Sequence, residues 1–105
     1  MIDPSNDLKA MIEAAKTAGN GLEQHFSKLS ALTIRSKSGP DDMVSIADEE
    51  AERTSRAILS RAQPSYAFLG EEGGETGGPD TSQQWIVDPL DGTTNFLFGT
   101  PLWGV

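Results

Sequence analysis

The segment at residues 88–96, Asp-Pro-Leu-Asp-Gly-Thr-Thr-Asn-Phe, constrains the fold of this chain more than any other stretch. It follows a short apolar run at residues 85–87, Trp-Ile-Val, which is typical of a buried strand. Pro89 and Gly92 favour a tight turn directly after that strand. A short helix is then predicted to begin at Thr93. The chain must therefore pass from strand to turn to helix within a few residues.

The same segment places chemically useful groups close together. Asp88 and Asp91 are separated by two residues, and hard divalent cations prefer such oxygen ligands. The backbone N–H groups of Gly92 and Thr93 are suited to binding phosphate. One loop could therefore hold both a metal and a phosphate, which indicates phosphate-ester chemistry. Asp-Pro and Asp-Gly are also common turn dipeptides, so the two acids have a purely structural interpretation as well.

Length and composition limit the remaining possibilities. A chain of 105 residues forms one domain at most, and the absence of cysteine excludes disulfides, thiolate metal sites and cysteine nucleophiles. The sequence shows neither a signal-peptide pattern nor an apolar run of membrane-spanning length, so we expect a cytoplasmic protein.

The net charge of −8 is unevenly distributed along the chain. Every Lys and Arg lies between Lys9 and Arg61, and the charged residues from Ala62 onward are all acidic. This field repels nucleic acid and anionic membranes, so we expect neither as a partner. It suits a cation, although solvated acidic loops would give the same composition.

Residues 8–29 have the spacing of a long amphipathic helix. Apolar side chains recur at intervals of three and four, at Leu8, Met11, Ile12, Ala15, Ala18, Leu22, Phe26 and Leu29. Pro4 suits the first turn of this helix. The two glycines of the Gly19-Asn20-Gly21 segment lower the helix propensity in the middle of this helix. A kink or an early end of the helix would therefore fall at this segment.

The next segments predict a strand and a second helix. Residues 33–37, Thr-Ile-Arg-Ser-Lys, read as a short strand. A helix is predicted to start near Ser45, because Ser45 and Asp48 resemble a capping box, and to stop before Pro64. Residues 101–105 resemble the start of a further strand, whose abrupt apolar end we interpret as a truncation.

Two predicted strands are each followed by acids. Residues 66–69, Tyr-Ala-Phe-Leu, precede Glu71, and residues 85–87 precede Asp88 and Asp91, with a flexible acidic loop predicted over residues 70–82. If the strands are neighbours, their carboxyl ends bring the three acids together at one edge of the sheet. Such a cluster is unfavourable unless a cation neutralises it, and carboxylates with a backbone carbonyl suit Mg²⁺.

Three motifs together resemble the inositol monophosphatase family of Mg²⁺-dependent, lithium-sensitive phosphatases. They are Gly-Glu-Glu at residues 70–72, the run at residues 85–96, and the upstream run at residues 37–48. Their order and spacing match, and the resemblance covers essentially the whole chain. It implies an α/β layered sandwich, the sugar-phosphatase fold, of which residues 1–105 would form the N-terminal part of a single domain.

The resemblance also implies a set of metal ligands. Glu71, Asp88 and the carbonyl oxygen of Leu90 would hold a first Mg²⁺, and Asp88 with Asp91 a second. A third, looser metal would share Glu71. Glu72 would lie beside these ligands without binding the metal itself. Taken alone, a Glu71-Glu72 pair more often belongs to a solvated loop.

Further residues would act on the substrate according to this resemblance. The backbone N–H groups of Gly92 and Thr93 would bind the phosphate. The Thr93 hydroxyl, oriented by Asp48, would help to activate a metal-bound water for in-line attack on phosphorus. Lys37 would lie near the phosphate and the metals. On their own, Asp48 would suit a helix cap and Lys37 a solvent-exposed position.

These inferences converge on a Mg²⁺-dependent phosphomonoesterase acting on myo-inositol monophosphate or a similar small polyol phosphate. Histidinol-phosphate, fructose-1,6-bisphosphate and bisphosphate-nucleotide phosphatases share the metal motifs, and a non-catalytic acidic module binding cations or a protein is a separate alternative. The family's downstream Trp-Asp motif, which supplies another metal ligand, is absent from these residues. We therefore do not expect the chain alone to turn over substrate, and we expect the full-length protein to be a homodimer.

Overall fold

The computed structural model of this chain describes residues 4–33, 40–71, 75–77 and 80–105. It contains helices and strands in one mixed arrangement, which confirms the predicted α/β class. The elements in chain order are α1 (Pro4–Thr33), α2 (Pro40–Ala62), β1 (Tyr66–Gly70), β2 (Glu75–Thr76), β3 (Asp80–Val87) and α3 (Thr93–Leu97).

Helix α1 forms where the apolar periodicity predicts a helix, and it packs along α2. The predicted apolar face is wrong in part, because Leu8, Met11 and Ile12 are exposed. The buried positions on α1 are mostly alanines, at Ala10, Ala14 and Ala18, and α2 contributes Ala47 and Ala51. Small side chains allow the two helix axes to approach closely. No helix in the described part of the chain is long and apolar enough to cross a membrane.

Of the kink or early end that Gly19-Asn20-Gly21 would favour, the early end does not occur, because α1 continues through these residues to Thr33. A helical glycine costs only about 1 kcal/mol relative to alanine, which tertiary packing readily offsets. Gly21 lies where α2 approaches: a Cβ built there would be 3.6 Å from Glu50 Oε1. In addition, His25 Nε2 lies 2.6 Å from Glu50 Oε2, so polar contacts join the two helices at this level.

The start of α2 also differs from the prediction. The helix begins at Pro40, and Ser45 lies inside it instead of capping it. Proline suits a first helical turn, where its missing N–H has no intrahelical partner to lose. The stop before Pro64 is confirmed. Of the strand predicted at residues 33–37, Thr33 is the last residue of α1, and the remainder lies outside the described residues.

The strands form one sheet in the order β2-β1-β3. Strands β1 and β3 are parallel, with Leu69 opposite Ile86 and Gly70 opposite Val87, and β2 pairs antiparallel with β1. The loop predicted over residues 70–82 is therefore wrong in part, since β2 lies within it and β3 already starts at Asp80. The polar residues at the start of β3 carry no apolar alternation, so periodicity could not indicate a strand there.

Two groups of buried side chains form the core. One lies between the helices and the sheet and includes Ala10, Ala14, Ile58, Leu59, Tyr66, Phe68 and Trp85. The other lies between the helices and the segment after β3 and includes Ala18, Leu22, Ala47, Ala51, Leu90 and Phe96. This second cluster determines where the loop at residues 88–96 sits.

Phe96 is the centre of the second cluster. It is fully buried, and its ring centroid lies 5.3 Å from that of Phe26 and 5.2 Å from that of Trp103. Phe98, two residues later, is 77% exposed. Helix α3 is therefore attached to the core mainly through Phe96, with the partly buried Leu97 packing against the same cluster.

Replacing Phe96 should therefore destabilise the fold much more than replacing Phe98. Phe96→Ala removes a buried aromatic ring and leaves a cavity, which is expected to lower the free energy of unfolding by about 3 kcal/mol or more. Phe98→Ala should change it by less than about 0.5 kcal/mol, because the ring is exposed. Urea unfolding of both variants measures the difference, and equal losses would contradict the assigned burial.

Candidate metal and phosphate site

The parallel register of β1 and β3 brings two acids to one edge of the sheet. Gly70 pairs with Val87, so Glu71 and Asp88 are the next residues on adjacent strands. Both are exposed, and both line an open cleft of about 390 Å³. The condition that these strands are neighbours is met, and each strand is followed by an acid at its carboxyl end.

The turn after β3 is anchored by apolar burial and closed by hydrogen bonds. Leu90 is 2% exposed and belongs to the core cluster with Phe96. Its backbone N–H donates to Asp88 Oδ1 at 3.3 Å, and its carbonyl oxygen accepts from the Thr93 hydroxyl at 3.2 Å. The Asp88 carboxylate is thus tied to its own turn while it faces the cleft.

Asp91 is held by the last residues of the chain. Its backbone N–H donates to the Gly104 carbonyl at 2.8 Å, and the Gly104 N–H donates back at 3.0 Å. The Asp91 side chain is exposed. The pairing fixes the backbone on the far end of the turn from Asp88.

Gly92 allows the chain to turn from this bridge into α3. Its φ of 83° lies in the left-handed region, and its carbonyl accepts from the Phe96 N–H at 3.0 Å. A Cβ at Gly92 would lie 2.8 Å from the Leu102 carbonyl oxygen and 3.2 Å from Trp103 Cα. Glycine is therefore required here for both backbone angle and space.

Asp48 lies on α2 and is 7% exposed. Its neighbours Ala47 and Ala51 pack in the same cluster as Leu90, so α2 lies against the loop at residues 88–96. The Thr93 hydroxyl donates to the Leu90 carbonyl in this structure, and its orientation by Asp48 stays a prediction.

The structure gathers only part of the predicted ligand set. Among the described residues, no three acidic or histidine side chains form a group that could hold a metal ion. Glu71, Asp88 and Asp91 thus do not form such a group in this structure, where the Asp91 backbone pairs with Gly104, and their role as metal ligands stays a prediction. Lys37 and Glu72 lie outside the described residues.

The groups at this edge nevertheless fit Mg²⁺ in kind. Glu71 and Asp88 offer carboxylate oxygens in one cleft, and Leu90 adds a carbonyl oxygen on the adjoining turn. These are the hard oxygen donors that Mg²⁺ prefers. Two acids side by side also repel each other, so a cation between them would lower their electrostatic energy.

Sequence reasoning missed one acid beside this edge. Glu52 lies on α2 and is only 5% exposed, and its carboxylate lies against Gly70 at the end of β1. The available signal was its spacing: Glu52 follows Asp48 by four residues, so both lie on one face of a helix.

Comparison with known proteins decides the family. The sequence matches the inositol monophosphatase family over residues 3–105. The chain belongs to this family. Both the family match and the structural similarity to solved members therefore agree with the resemblance that the three motifs indicate.

Individual relatives of this inositol monophosphatase family member carry two kinds of name. The inositol-1-monophosphatase of Rhizobium meliloti is 51% identical over 94 residues, which cover 90% of this chain and 35% of the relative. The Nus factor SuhB of Xylella fastidiosa is 46% identical over 91 residues, which cover 87% of this chain and 32% of that relative. The crystal structure of the extragenic suppressor protein suhB of Bartonella henselae superposes with a TM-score of 0.76 at 40% sequence identity. The match covers 91% of this chain and 35% of the suhB chain. The chain spans about a third of the length of the curated relatives it matches.

The geometry of the turn predicts different costs for two glycine substitutions. Gly92 and Gly99 both have positive φ, at 83° and 75°, but a Cβ at Gly99 would meet nothing within 4 Å. Gly99→Ala should therefore cost only the backbone penalty of about 1–2 kcal/mol. Gly92→Ala should cost about 1 kcal/mol or more beyond that, because the Cβ also meets the Leu102 carbonyl. Urea unfolding of the two variants tests this order, and equal costs would contradict the close contact.

Proposed function

We propose that this chain is the N-terminal part of a Mg²⁺-dependent phosphomonoesterase that hydrolyses myo-inositol monophosphate or a similar small polyol phosphate. The observation that carries the proposal is the parallel register of β1 and β3, which places Glu71 and Asp88 in one cleft. The anchored turn at residues 88–96 adjoins that cleft. Membership of the inositol monophosphatase family supports the same chemistry.

In this proposal the acids and the turn bind the metal. Glu71, Asp88 and the carbonyl oxygen of Leu90 hold one Mg²⁺, and Asp88 with Asp91 holds a second. Bound Mg²⁺ supplies Lewis acidity to a phosphate oxygen and to the attacking water. The Asp91 side chain is exposed and therefore accessible to a metal ion.

The remaining residues act on phosphate and water. The backbone N–H groups of Gly92 and Thr93 donate to phosphate oxygens at the start of α3. In this proposal the Thr93 hydroxyl turns its proton from the Leu90 carbonyl to the buried Asp48 carboxylate and accepts a hydrogen bond from the attacking water. This relay orients the water for in-line attack on phosphorus. Holding the nucleophile in the reactive geometry lowers the activation barrier for hydrolysis.

The names of the relatives favour an enzyme over a purely binding module. The relative named inositol-1-monophosphatase is 51% identical, and the relative named Nus factor is 46% identical. Other sugar and nucleotide phosphatases share the metal motif, so the polyol phosphate is proposed as a substrate class. A non-catalytic module that binds cations or a protein through its acidic face is the alternative from another class.

Activity should be tested after joining this chain to the remaining C-terminal part of the Rhizobium meliloti relative. The chimera is expected to release phosphate from myo-inositol monophosphate only when Mg²⁺ is present. Asp88→Asn should lower kcat/KM by roughly 100-fold or more, because it removes a carboxylate ligand of the metal. Phosphate release is measured by a colorimetric assay.

Glu23→Gln is the control for lost negative charge, because Glu23 is exposed on α1 and does not line the cleft. It should leave kcat/KM within about twofold, in line with the small effect of surface charge changes. Full activity of Asp88→Asn would overturn the catalytic assignment. Metal binding without phosphate release from any polyol or sugar phosphate would support the non-catalytic module.

A further inference from the structure

Glu52 occupies an unusual position for a carboxylate. It is 5% exposed, and it fills the space next to Gly70 at the end of β1. A Cβ built on Gly70 would overlap the Glu52 carboxylate, with Glu52 Cδ at 2.5 Å, and would lie 3.0 Å from Phe68 Cε1. Helix α2 and strand β1 therefore meet at Gly70 with no room for a side chain.

Burying a carboxylate is unfavourable unless a partner compensates for the lost water. Arg56, one helical turn after Glu52, places Nη2 4.0 Å from Glu52 Oε2. The Arg56 guanidinium carbon also lies 4.2 Å from the centroid of the Phe68 ring, in a cation–π arrangement. Glu52 and Arg56 are thus both held against β1, one at Gly70 and the other at Phe68.

This contact lies between two residues of the proposed site. Gly70 directly precedes Glu71, which lines the cleft with Asp88. Asp48 precedes Glu52 by one helical turn and is buried on the same helix. A shift of α2 along β1 would change the position of Asp48 relative to Glu71.

We propose that Glu52 is a positioning residue that sets Glu71 and Asp48 in register through its contact with Gly70. The inference rests on the proposed metal-binding function of Glu71. An apolar side chain would pack α2 against the sheet without the desolvation penalty of a buried charge. A buried carboxylate at this position therefore favours a role in fixing where α2 lies on β1. The contact acts on Glu71 through the backbone and does not involve the metal directly.

The test uses Mn²⁺ as the probe, because its binding to this chain can be followed by electron paramagnetic resonance of the free ion. Glu52→Asp keeps the charge and withdraws the carboxylate by one methylene group. It is expected to weaken Mn²⁺ binding roughly tenfold, the usual effect of disturbing a group that supports a metal ligand. Glu49→Asp is the matched control, since Glu49 is exposed on the same helix, and it should bind Mn²⁺ within about twofold of wild type.

A double-mutant cycle with Gly70 tests whether the effect passes through this contact. Gly70→Ala should weaken Mn²⁺ binding strongly in the wild-type background, because the new Cβ displaces Glu52 and the strand end. In the Glu52→Asp background the shorter side chain leaves room, so Gly70→Ala should add little further loss. The free energy of unfolding of each variant, measured without metal, separates weaker binding from a smaller folded fraction.

The outcomes distinguish this inference from the proposed function. If Glu71→Gln and Asp88→Asn leave Mn²⁺ affinity unchanged, the metal site itself is wrong and the positioning role falls with it. If those variants lose affinity but Glu52→Asp matches Glu49→Asp, the proposed function stands and the positioning role is wrong. Additive losses in the Gly70 cycle, or losses explained by unfolding alone, would likewise overturn the role of Glu52.

Discussion

The parallel pairing of β1 with β3 is the constraint on which the rest of this structure depends. Two parallel strands end at the same edge of a sheet, and here the register opposes Gly70 to Val87. The residues that follow are both acids, so charge gathers at one edge although the two residues lie far apart in sequence. Strand β2 folds back on the other side of β1, which leaves β3 free to take the parallel position.

Apolar burial holds the loop at residues 88–96 in place, and most of its polar side chains remain exposed. Leu90 and Phe96 lie in the core, while Asp88, Asp91 and Thr93 between and around them are exposed. Helix α2 packs against the same loop through alanines, which allow a close approach. Precise placement of the loop therefore comes from ordinary core packing, and the acids need no burial of their own to be positioned.

Several parts of this arrangement could be predicted from the sequence, and others could not. The existence of α1, the stop of α2 before Pro64 and the turn after β3 depend on local propensities, and the structure confirms them. Which face of α1 is buried was predicted only in part, since Leu8, Met11 and Ile12 are exposed. The predicted start of α2 and the predicted extent of β3 were wrong. Neither the polar residues that follow Pro40 nor those that follow Asp80 have a periodic apolar pattern that would indicate an element there. The adjacency of Glu71 and Asp88 followed from the motif order once the strands were assumed to be neighbours. Glu52 was missed because its spacing from Asp48 indicates a shared helix face but does not show that this face is buried.

The sequence by itself determined the local chemistry: which residues carry oxygen ligands, where proline and glycine turn the chain, and to which family the motifs belong. These properties depend on side-chain identity and on a few neighbouring residues. Only the tertiary structure decided which groups meet, since strand register and helix packing depend on contacts between residues distant in sequence. That is why Asp88 shares a cleft with Glu71, why Asp91 pairs with Gly104, and why Glu52 fills the space that Gly70 leaves open.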